Sequence, residues 1–490
     1  MIQGFNPRTG QPTGEPVAEA GDADVDAIVA AAVAAFDEWA ASPRRAEALE
    51  AVADALDARV TDLVAIADAE TALGAERLTG EVARATGQLR LFAGVVRDGG
   101  YLDAVVSPAA GAAPDLRRVT RPVGPVAVFA ASNFPFAFSV AGGDTASALA
   151  AGCPVVVKAH ENHPGTSDLT ARIIAGALAS AGAPAGTFGL IHGVDAGLRL
   201  LRHPAIAAAG FTGSTSGGLA LARICADREV PIPFFGELGA VNPVVVLPGA
   251  ASRRPAEIAS GYAASLTLGA GQFCTNPGLL FVPADTTLLA AIQEAVSGSA
   301  GGPMLSARIF AAYQDAVAEA GAHPGVTRLA SGAKGEGPWG ATPHAFQTSL
   351  KEFGDDAAAL SRERFGPAGV VITYSSVEEL LPVLGKLAGN LVGTVHVDKG
   401  SATDIELARQ VIPALERIAG RIVYNGWPTG VAVVAAQEHG GPWPATTAPA
   451  YTSVGTAAIR RWLVPVAYQN FPAELLPEAL RAKALQAGQP

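Results

Sequence analysis

Cys274 is the residue of this 490-residue chain whose setting is best suited to covalent chemistry. It follows an apolar run and lies between turns that glycine permits, in the segment from Gly271 to Gly278. A thiol held there can open onto a pocket and act as a nucleophile once it is ionised. The alternative is an ordinary core residue, because free cysteine is among the most buried residue types.

Two polar residues upstream are candidates for the groups that a nucleophilic thiol needs. Glu237 lies between apolar and glycine residues, a setting that raises a carboxylate pKa toward that of a general base, although a lone glutamate is usually a solvated surface residue. Asn133 follows an apolar run at the exit of a predicted strand, where its side-chain N–H can stabilise an oxyanion. The alternative for Asn133 is a helix N-cap before Phe134 and Pro135.

A strand-to-helix turn around Gly213 is the candidate phosphate site. Its backbone N–H groups can meet a pyrophosphate at the N-terminus of the predicted helix. Gly213 and Gly218 do not have the spacing of the G-x-G-x-x-G fingerprint, so an ordinary turn is the alternative.

Taken together, these segments resemble the signature set of the aldehyde dehydrogenase superfamily, and the resemblance covers essentially the whole chain. The matching segments, in order, are 132–135, 211–215, 235–239 and 271–278. The resemblance implies oxidation of an aldehyde to a carboxylic acid, through a thiohemiacetal and a thioester on Cys274. It implies that Asn133 stabilises the oxyanion and that Glu237 activates the hydrolytic water. Relatives that transfer the acyl group to coenzyme A lack this base, so Glu237 favours hydrolysis.

The same resemblance implies a nicotinamide cofactor and assigns residues to it. Ser214 is expected at the phosphate, and Lys158 at the adenosine ribose. The segment 363–367 is similar to the family's E-x-F-G-P motif, which places Glu363 on the nicotinamide ribose and Phe365 against the ring. Glu161 favours NAD because a carboxylate repels a 2′-phosphate, although Lys158 and Glu161 are also consistent with solvated charges. We expect both cofactors to be used, with NADP slightly ahead, because the branch of the superfamily that this chain most resembles is usually associated with NADP.

Within the superfamily the chain is most similar to the branch that oxidises α-ketoglutarate semialdehyde, which is 2,5-dioxopentanoate, to 2-oxoglutarate. The segments that carry this similarity are 70–81, 86–93, 439–446 and 452–461. Common relatives have a Pro-Phe-Gly-Gly turn followed by Lys near position 439, and this chain departs from that pattern.

A substrate of that branch carries a carboxylate at its far end, so its pocket needs a cation away from the thiol. Arg84 is the candidate, with Gln88 one helical turn later, on a helix that lines the substrate tunnel by resemblance. An exposed helix arginine is the alternative. Phe138, Phe273 and Trp443 are the candidate apolar walls, and each of them is also consistent with plain core packing.

The elements that must position these residues form an α/β pattern, in which apolar strands alternate with helices at the spacing of parallel sheets. We expect an aldehyde dehydrogenase fold with a Rossmann-like cofactor domain, an α/β catalytic domain and a small β oligomerisation element. The predicted parts are 1–99 with 124–236 for the dinucleotide, 237–446 for catalysis, 100–123 with 447–470 for oligomerisation, and 471–490 as a C-terminal tail. The last alternating segment is a predicted edge strand, so a homodimer or homotetramer is expected.

Charge and composition limit the partners. The formal net charge is −11 and no block of Lys and Arg stands out, which argues against nucleic acid and anionic membranes. Three scattered cysteines predict neither a disulfide framework nor a metal site. Since no signal peptide or membrane span is recognised either, we expect a cytoplasmic enzyme acting on a small-molecule aldehyde.

Three alternatives remain open from the sequence. They are a broad-specificity aliphatic aldehyde dehydrogenase, a thiol hydrolase that turns over esters without a nicotinamide, and a binding protein without catalysis. The sequence leaves undetermined the exact aldehyde, the preferred cofactor, the physiological pathway and the choice between dimer and tetramer.

Overall fold

The structure is a computed structural model that describes residues 1–284 and 287–486. The last four residues of the predicted C-terminal tail, 487–490, lie outside the described residues. The strands are β1 Ile2–Phe5, β2 Pro12–Val17, β3 Val105–Ser107, β4 Leu116–Pro122, β5 Val126–Phe129, β6 Val155–Lys158, β7 Phe188–Ile191, β8 Ala208–Thr212, β9 Phe234–Glu237, β10 Val244–Val246, β11 Leu279–Pro283, β12 Thr327–Ser331, β13 His344–Ser349, β14 Ala368–Tyr374, β15 Asn390–His396, β16 Ala419–Tyr424 and β17 Leu463–Gln469.

The helices pack mainly against the two large sheets. They are α1 Asp22–Ala41, α2 Arg45–Asp57, α3 Val60–Thr71, α4 Ala75–Asp98, α5 Gly143–Ala151, α6 Pro164–Ser180, α7 Val194–Arg202, α8 Thr215–Ala226, α9 Pro248–Arg253, α10 Pro255–Thr267, α11 Leu288–Ser297, α12 Ala307–Ala322, α13 Leu350–Asp355, α14 Ala357–Leu360, α15 Val377–Leu384, α16 Ala402–Glu416 and α17 Glu478–Gln486. Among the described residues, no helix combines the length and the apolar character needed to span a bilayer.

A five-stranded parallel sheet forms the first half of the molecule, with strand order β7-β6-β5-β8-β9. Every residue of β5 and β6 is buried, because helices cover both faces of the sheet. The chain moves outward from β5 to β7 on one side and returns to β8 on the other. The crevice between the ends of β5 and β8 is therefore the switch point at which open α/β sheets bind ligands.

A seven-stranded sheet forms the second half, with strand order β12-β13-β14-β11-β10-β15-β16. All neighbours in it are parallel except β12, which pairs antiparallel with β13. The two parallel-stranded sheets confirm the predicted α/β class. Cys274 lies in the connection between α10 and β11, so the second sheet carries the thiol.

A separate antiparallel sheet of three strands joins two distant parts of the sequence. β4 lies in the middle, β3 pairs with one of its edges, and β17 pairs with the other from Leu463 to Gln469. The burial of β17 alternates along the strand, as expected for a strand with one covered face.

The predicted elements differ from the structure in a few places. The apolar pattern from Arg45 to Ala69 predicts helix, and the structure divides this stretch at Ala58 and Arg59 into α2 and α3. The sequence also predicts a helix from Ser139 to Ala151, but the structure begins it at Gly143 because the residues before it form turns. No element was predicted for α12, β12, β13 or α16.

Candidate active site

A cavity with a volume of about 570 Å³ lies at the carboxyl ends of the parallel strands of the first sheet. It is lined from both halves of the molecule, and this is the position in which α/β folds place their ligands. The predicted site residues that line it are Asn133, Phe138, Lys158, Glu161, Gly213, Ser214, Glu237, Cys274, Glu363 and Phe365.

The loop that carries Cys274 is shaped by three consecutive residues with positive φ, at Gly269, Ala270 and Gly271. A Cβ atom on Gly271 would lie 2.2 Å from the backbone carbon of Gly366, so only glycine permits this close approach. The turn delivers Cys274 half-buried to the cavity.

The other two cysteines provide a contrast with Cys274. Cys153 and Cys225 are almost fully buried in the hydrophobic core, where they act as small apolar residues. Cys274 opens onto the cavity, which supports the role of a nucleophile over that of a core residue.

His439 is the residue that approaches the thiol, with Nε2 3.9 Å from Cys274 Sγ. Burial raises the pKa of the thiol to about 12, and the carboxylates of Glu363 and Glu237 add to this rise. Burial also lowers the pKa of His439 to about 3, with Arg421 and Arg84 contributing, so its imidazole is neutral at pH 7. The sequence marked His439 only as a branch difference, and its contact with the thiol was missed.

Asn133 follows β5, and its Nδ2 donates to the carbonyl oxygen of Gln272 at 2.9 Å. This bond links the loop after β5 to the loop of Cys274. The N-cap alternative for Asn133 is wrong, since the next helix is α5, which begins at Gly143 with Gly142 as its N-cap. A side-chain amide has two N–H donors, so one remains for a ligand oxygen.

Glu237 is the last residue of β9 and is 6% exposed. Its Oε2 has no hydrogen-bond partner among the described residues. Burial raises the pKa of Glu237 well above its ordinary value, with Asp144 adding to the rise, while Arg461 and a hydrogen bond from Thr446 oppose it. A carboxyl with a raised pKa binds a proton more readily than an ordinary glutamate does, which suits a general base.

The N-terminus of α8 opens onto the far part of the cavity. Ser214 is the N-cap, and its Oγ accepts from the backbone N–H of Gly217 at 3.2 Å. Gly217 lines the cavity, whereas Gly218 faces the sheet, where a Cβ would lie 2.1 Å from Leu238 Cδ2. The sequence predicts that Gly218 binds the cofactor together with Gly213, but the structure gives Gly218 a packing role, because α8 lies too close to Leu238, the residue after β9, for a side chain there.

Lys158 and Glu161 form an ion pair at the cavity wall. Burial acts to raise the pKa of Glu161, but the charges of Lys158 and His160 outweigh it and lower the pKa below its ordinary value. Both residues line the cavity, which supports binding roles over the alternative of solvated charges.

Glu363 and Phe365 lie at the other end of the cavity, beside Cys274. Glu363 approaches so closely that a Cβ on Gly239 would be 2.1 Å from its Oε2, and it accepts from the backbone N–H of Ala240. Burial raises the pKa of Glu363 to about 7. A helix N-terminus flanked by hydroxyl-binding charges at one end and a carboxylate at the other fits a nicotinamide dinucleotide.

The predicted substrate residues are brought together only in part. Phe138 lines the cavity, and Phe273 stacks edge-on against Phe134 with ring centroids 5.3 Å apart. Trp443 is corrected: it is 57% exposed, so it forms no apolar wall in the single chain. Gln88 is buried, with Nε2 3.5 Å from the carbonyl oxygen of Ala137, so it supports the loop above it.

Arg84 and a second arginine, Arg421 on β16, lie in the same region of the molecule as the thiol. The Arg84 guanidinium lies 5.4 Å from the ring centroid of Phe138, whose ring in turn lies 6.2 Å from that of His439. Arg421 was missed by the sequence analysis. Burial lowers the pKa of both guanidinium groups; the charge of Glu81 opposes the change for Arg84, and the ionised form of Cys274 opposes it for both.

The same short loop holds both arginines. Arg84 donates to the carbonyl oxygen of Val431, and Arg421 donates to those of Pro428 and Gly430. Nε and Nη2 of Arg84 and Nε of Arg421 are buried and have no partner among the described residues. Across the described residues, neither guanidinium lies within ion-pair distance of a carboxylate. Two desolvated cations with unused donors form a site for an anion.

Within residues 1–284 and 287–486, no cluster of three or more His, Cys, Asp or Glu side chains could hold a metal ion.

Comparison with known proteins adds independent findings. The model of the aldehyde dehydrogenase family matches residues 1–442. The chain is 46% identical to alpha-ketoglutaric semialdehyde dehydrogenase 2 of Azospirillum brasilense, over 98% of this chain and 93% of the relative. It is 42% identical to alpha-ketoglutaric semialdehyde dehydrogenase of Acinetobacter baylyi, over the same shares. The structure of 1-pyrroline-5-carboxylate dehydrogenase from Thermus with bound NAD has a TM-score of 0.81 at 23% identity, over 96% of this chain and 89% of that one.

Proposed function

We propose, from the premise that this chain belongs to the aldehyde dehydrogenase family, that it oxidises 2,5-dioxopentanoate to 2-oxoglutarate with NAD or NADP. The observation that carries the choice of substrate is the pair of half-buried arginines, Arg84 and Arg421, which have three buried N–H groups without a partner among the described residues. The two relatives above 40% identity are both named for this semialdehyde.

In the proposed reaction the Cys274 thiol loses its proton to solvent water, and Sγ adds to the aldehyde carbon as the carbonyl π bond opens to an oxyanion. The oxygen of the adduct accepts hydrogen bonds from Asn133 Nδ2 and the backbone N–H of Cys274, a stabilisation worth about 3 kcal/mol per donor in comparable enzymes. Glu363 and Phe365 would hold the nicotinamide, whose chemistry when bound would be to accept the hydride lost from this carbon. Glu237 then takes a proton from the water that attacks the thioester, and the acid leaves as the thiol is restored.

Cofactor contacts are proposed for the residues at the far part of the cavity. Ser214 and the N-terminus of α8 bind the pyrophosphate, and Lys158 and Glu161 lie at the adenosine ribose. Glu363 binds the second ribose, and Phe365 packs against the nicotinamide.

The two arginines distinguish the semialdehyde from uncharged aldehydes. Removing a cation that pairs with a substrate carboxylate leaves the carboxylate desolvated without a partner, which costs more than the loss of an ordinary hydrogen bond. We expect Arg84→Met and Arg421→Met each to lower kcat/KM for 2,5-dioxopentanoate about 10- to 100-fold and that for pentanal less than about 3-fold. Steady-state kinetics with both aldehydes measures this difference.

The matched control for the arginine variants is Arg90→Met. Arg90 lies on the same helix as Arg84, but it is exposed and pairs with Asp54 and Asp57. Equal losses for both aldehydes in Arg84→Met would contradict the assignment and favour the broad-specificity aldehyde dehydrogenase.

Glu161 is expected to limit the use of NADP. Its carboxylate repels a 2′-phosphate and holds Lys158 in an ion pair, so removing it frees a cation for the phosphate. We expect Glu161→Gln to raise the ratio of kcat/KM for NADP over NAD about 10-fold. Titrating each cofactor at saturating aldehyde gives the ratio. The exposed Glu229→Gln variant should leave it unchanged, and a ratio that stays fixed in Glu161→Gln would place the ribose elsewhere.

Assembly and location remain proposals. The outer edge of β17 is unpaired among the described residues, and we propose that it supports a homodimer or homotetramer. Three free cysteines are consistent with a reducing cytoplasm.

The reaction itself is tested by nicotinamide reduction with 2,5-dioxopentanoate and with pentanal, each with NAD and NADP. Turnover of the semialdehyde well above that of pentanal is expected. Equal turnover would favour the broad aliphatic enzyme.

A further inference from the structure

Helix α4 carries two charged residues that the reaction proposed above does not use, Arg77 and Glu81. They lie one helical turn apart and face the loops of the active site rather than solvent. Arg77 is in the first turn of α4, where a cation opposes the helix dipole and is usually unfavourable. Contacts outside the helix must therefore account for its position.

Arg77 contacts both loops that build the oxyanion site. Its Nη2 donates to the carbonyl oxygen of Asn133 at 2.7 Å. Its guanidinium carbon lies 5.1 Å from the ring centroid of Phe134 and 4.9 Å from that of Phe273, which are the immediate neighbours of Asn133 and Cys274. A cation between two aromatic rings is stabilised by both ring faces.

The same guanidinium also reaches the turn before the nucleophile. A Cβ on Gly269 would lie 2.5 Å from Arg77 Nη1, so the backbone of this turn touches the arginine directly. Among the described residues, Arg77 has no carboxylate within ion-pair distance, and its hydrogen bond goes to a backbone carbonyl.

Glu81 holds the same loop at a second point. Its Oε1 accepts from the backbone N–H groups of Phe136 at 2.9 Å and Ala137 at 3.1 Å. Burial raises the pKa of Glu81, and the positive charge of Arg77 opposes this rise. The two side chains therefore interact electrostatically. The loop that carries Asn133 is therefore fixed at its carbonyl by a cation and at its amides by a carboxylate.

We propose that Arg77 is a positioning residue that sets the Asn133 amide relative to the Cys274 backbone N–H in the oxyanion site. One N–H of the Asn133 side chain is already used by Gln272 O at 2.9 Å, so the direction of the second depends on where the two loops are held. A displacement of about 1 Å in such a donor can cost about 100-fold in rate. The inference rests on the role proposed for Asn133.

The test uses hydrolysis of p-nitrophenyl acetate without any nicotinamide, because acylation of Cys274 by an ester needs the oxyanion site and no cofactor. We expect Arg77→Met to lower the acylation rate about 10- to 100-fold with little change in KM. Arg77→Lys keeps the charge but loses the planar guanidinium with its paired N–H donors. Its acylation rate should lie between those of Arg77→Met and the wild type. Arg90→Met is the control on the same helix.

Alkylation of the thiol by iodoacetamide provides the second readout, since it needs Cys274 and no oxyanion donor. We expect Arg77→Met to be alkylated within about 3-fold of the wild-type rate. A parallel loss of alkylation and ester hydrolysis would overturn the proposal, because the thiol loop itself would then be displaced.

A double-mutant cycle with Asn133→Ala isolates the coupling. If Arg77 acts through Asn133, Arg77→Met should cost less than about 3-fold in the Asn133→Ala background. The full loss in that background, or no loss in either, would overturn the positioning role. Wild-type ester hydrolysis by Asn133→Ala would overturn the oxyanion role of Asn133 as well. An impaired Asn133→Ala beside an unimpaired Arg77→Met would overturn this inference alone.

Discussion

Replacing Cys274 by Ser should abolish aldehyde oxidation. Without the thiol, the addition that makes the carbonyl a hydride donor depends on a hydroxyl, which is a far weaker nucleophile. We expect kcat to fall by at least about 10³-fold in a protein with an unchanged melting temperature, because the side chain is half-buried at a cavity. Nicotinamide absorbance with the semialdehyde measures the loss.

The control for this prediction is Cys225→Ala. Cys225 lies on the buried face of α8 and does not line the cavity, so we expect this variant to change stability and to leave kcat near the wild-type value. Dehydrogenase activity in Cys274→Ser at a tenth of the wild-type rate or more would contradict the role of the thiol.

Replacing Glu237 by Gln should separate the two halves of the reaction. The amide cannot take a proton from the attacking water, so we expect steady-state turnover to fall about 10²- to 10⁴-fold. The first turnover does not need this base, so a burst of reduced nicotinamide close to one per active site should remain. Rapid mixing of enzyme with aldehyde and cofactor measures both phases. The exposed Glu229→Gln variant is the control, and a variant that loses the burst as well would contradict the assignment.

The pH dependence of turnover should follow the raised pKa of Glu237. Its neutral form, which cannot act as a base, persists to a higher pH than that of an ordinary glutamic acid. Thioester hydrolysis is therefore expected to speed up as the pH rises through that pKa. In Glu237→Gln this limb of the steady-state profile should disappear, and its persistence would assign it to another group.

Much of the fold could be predicted because the buried strands have a local signature. Residues of β5 and β6 form short apolar runs that are covered on both faces, and each is followed by a helix. The strands β12 and β13 were not predicted. The second of these, His344–Ser349, mixes polar and apolar residues, and its strand state depends on pairing with β14.

The site could be predicted where a residue's neighbours in sequence also define its role. Cys274 and Glu237 lie in segments whose glycines and apolar residues create the required setting, and both line the cavity. Arg421 could not be found in this way. It lies on an edge strand of the second sheet, and only the packing of that sheet brings it near Arg84 and the thiol.

Gly218 and Trp443 show the limit of assigning site residues from their place in the sequence. A glycine near a phosphate-binding turn can allow a ligand to approach, or it can allow its helix to pack closely. For Gly218 the distance to Leu238 decides between the two roles, and this distance cannot be read from the sequence. Trp443 belongs to a segment that marks the branch, but its side chain is exposed in the single chain.

The proposed nucleophile and the proposed oxyanion donor belong to different sheets, since Cys274 precedes β11 and Asn133 follows β5. The hydrogen bond from Asn133 to Gln272 crosses between the two halves. The catalytic rate is therefore sensitive to small shifts of one half relative to the other, even where the secondary structure stays unchanged. In mild denaturant, inactivation should set in before circular dichroism detects any unfolding, and on refolding activity should return last.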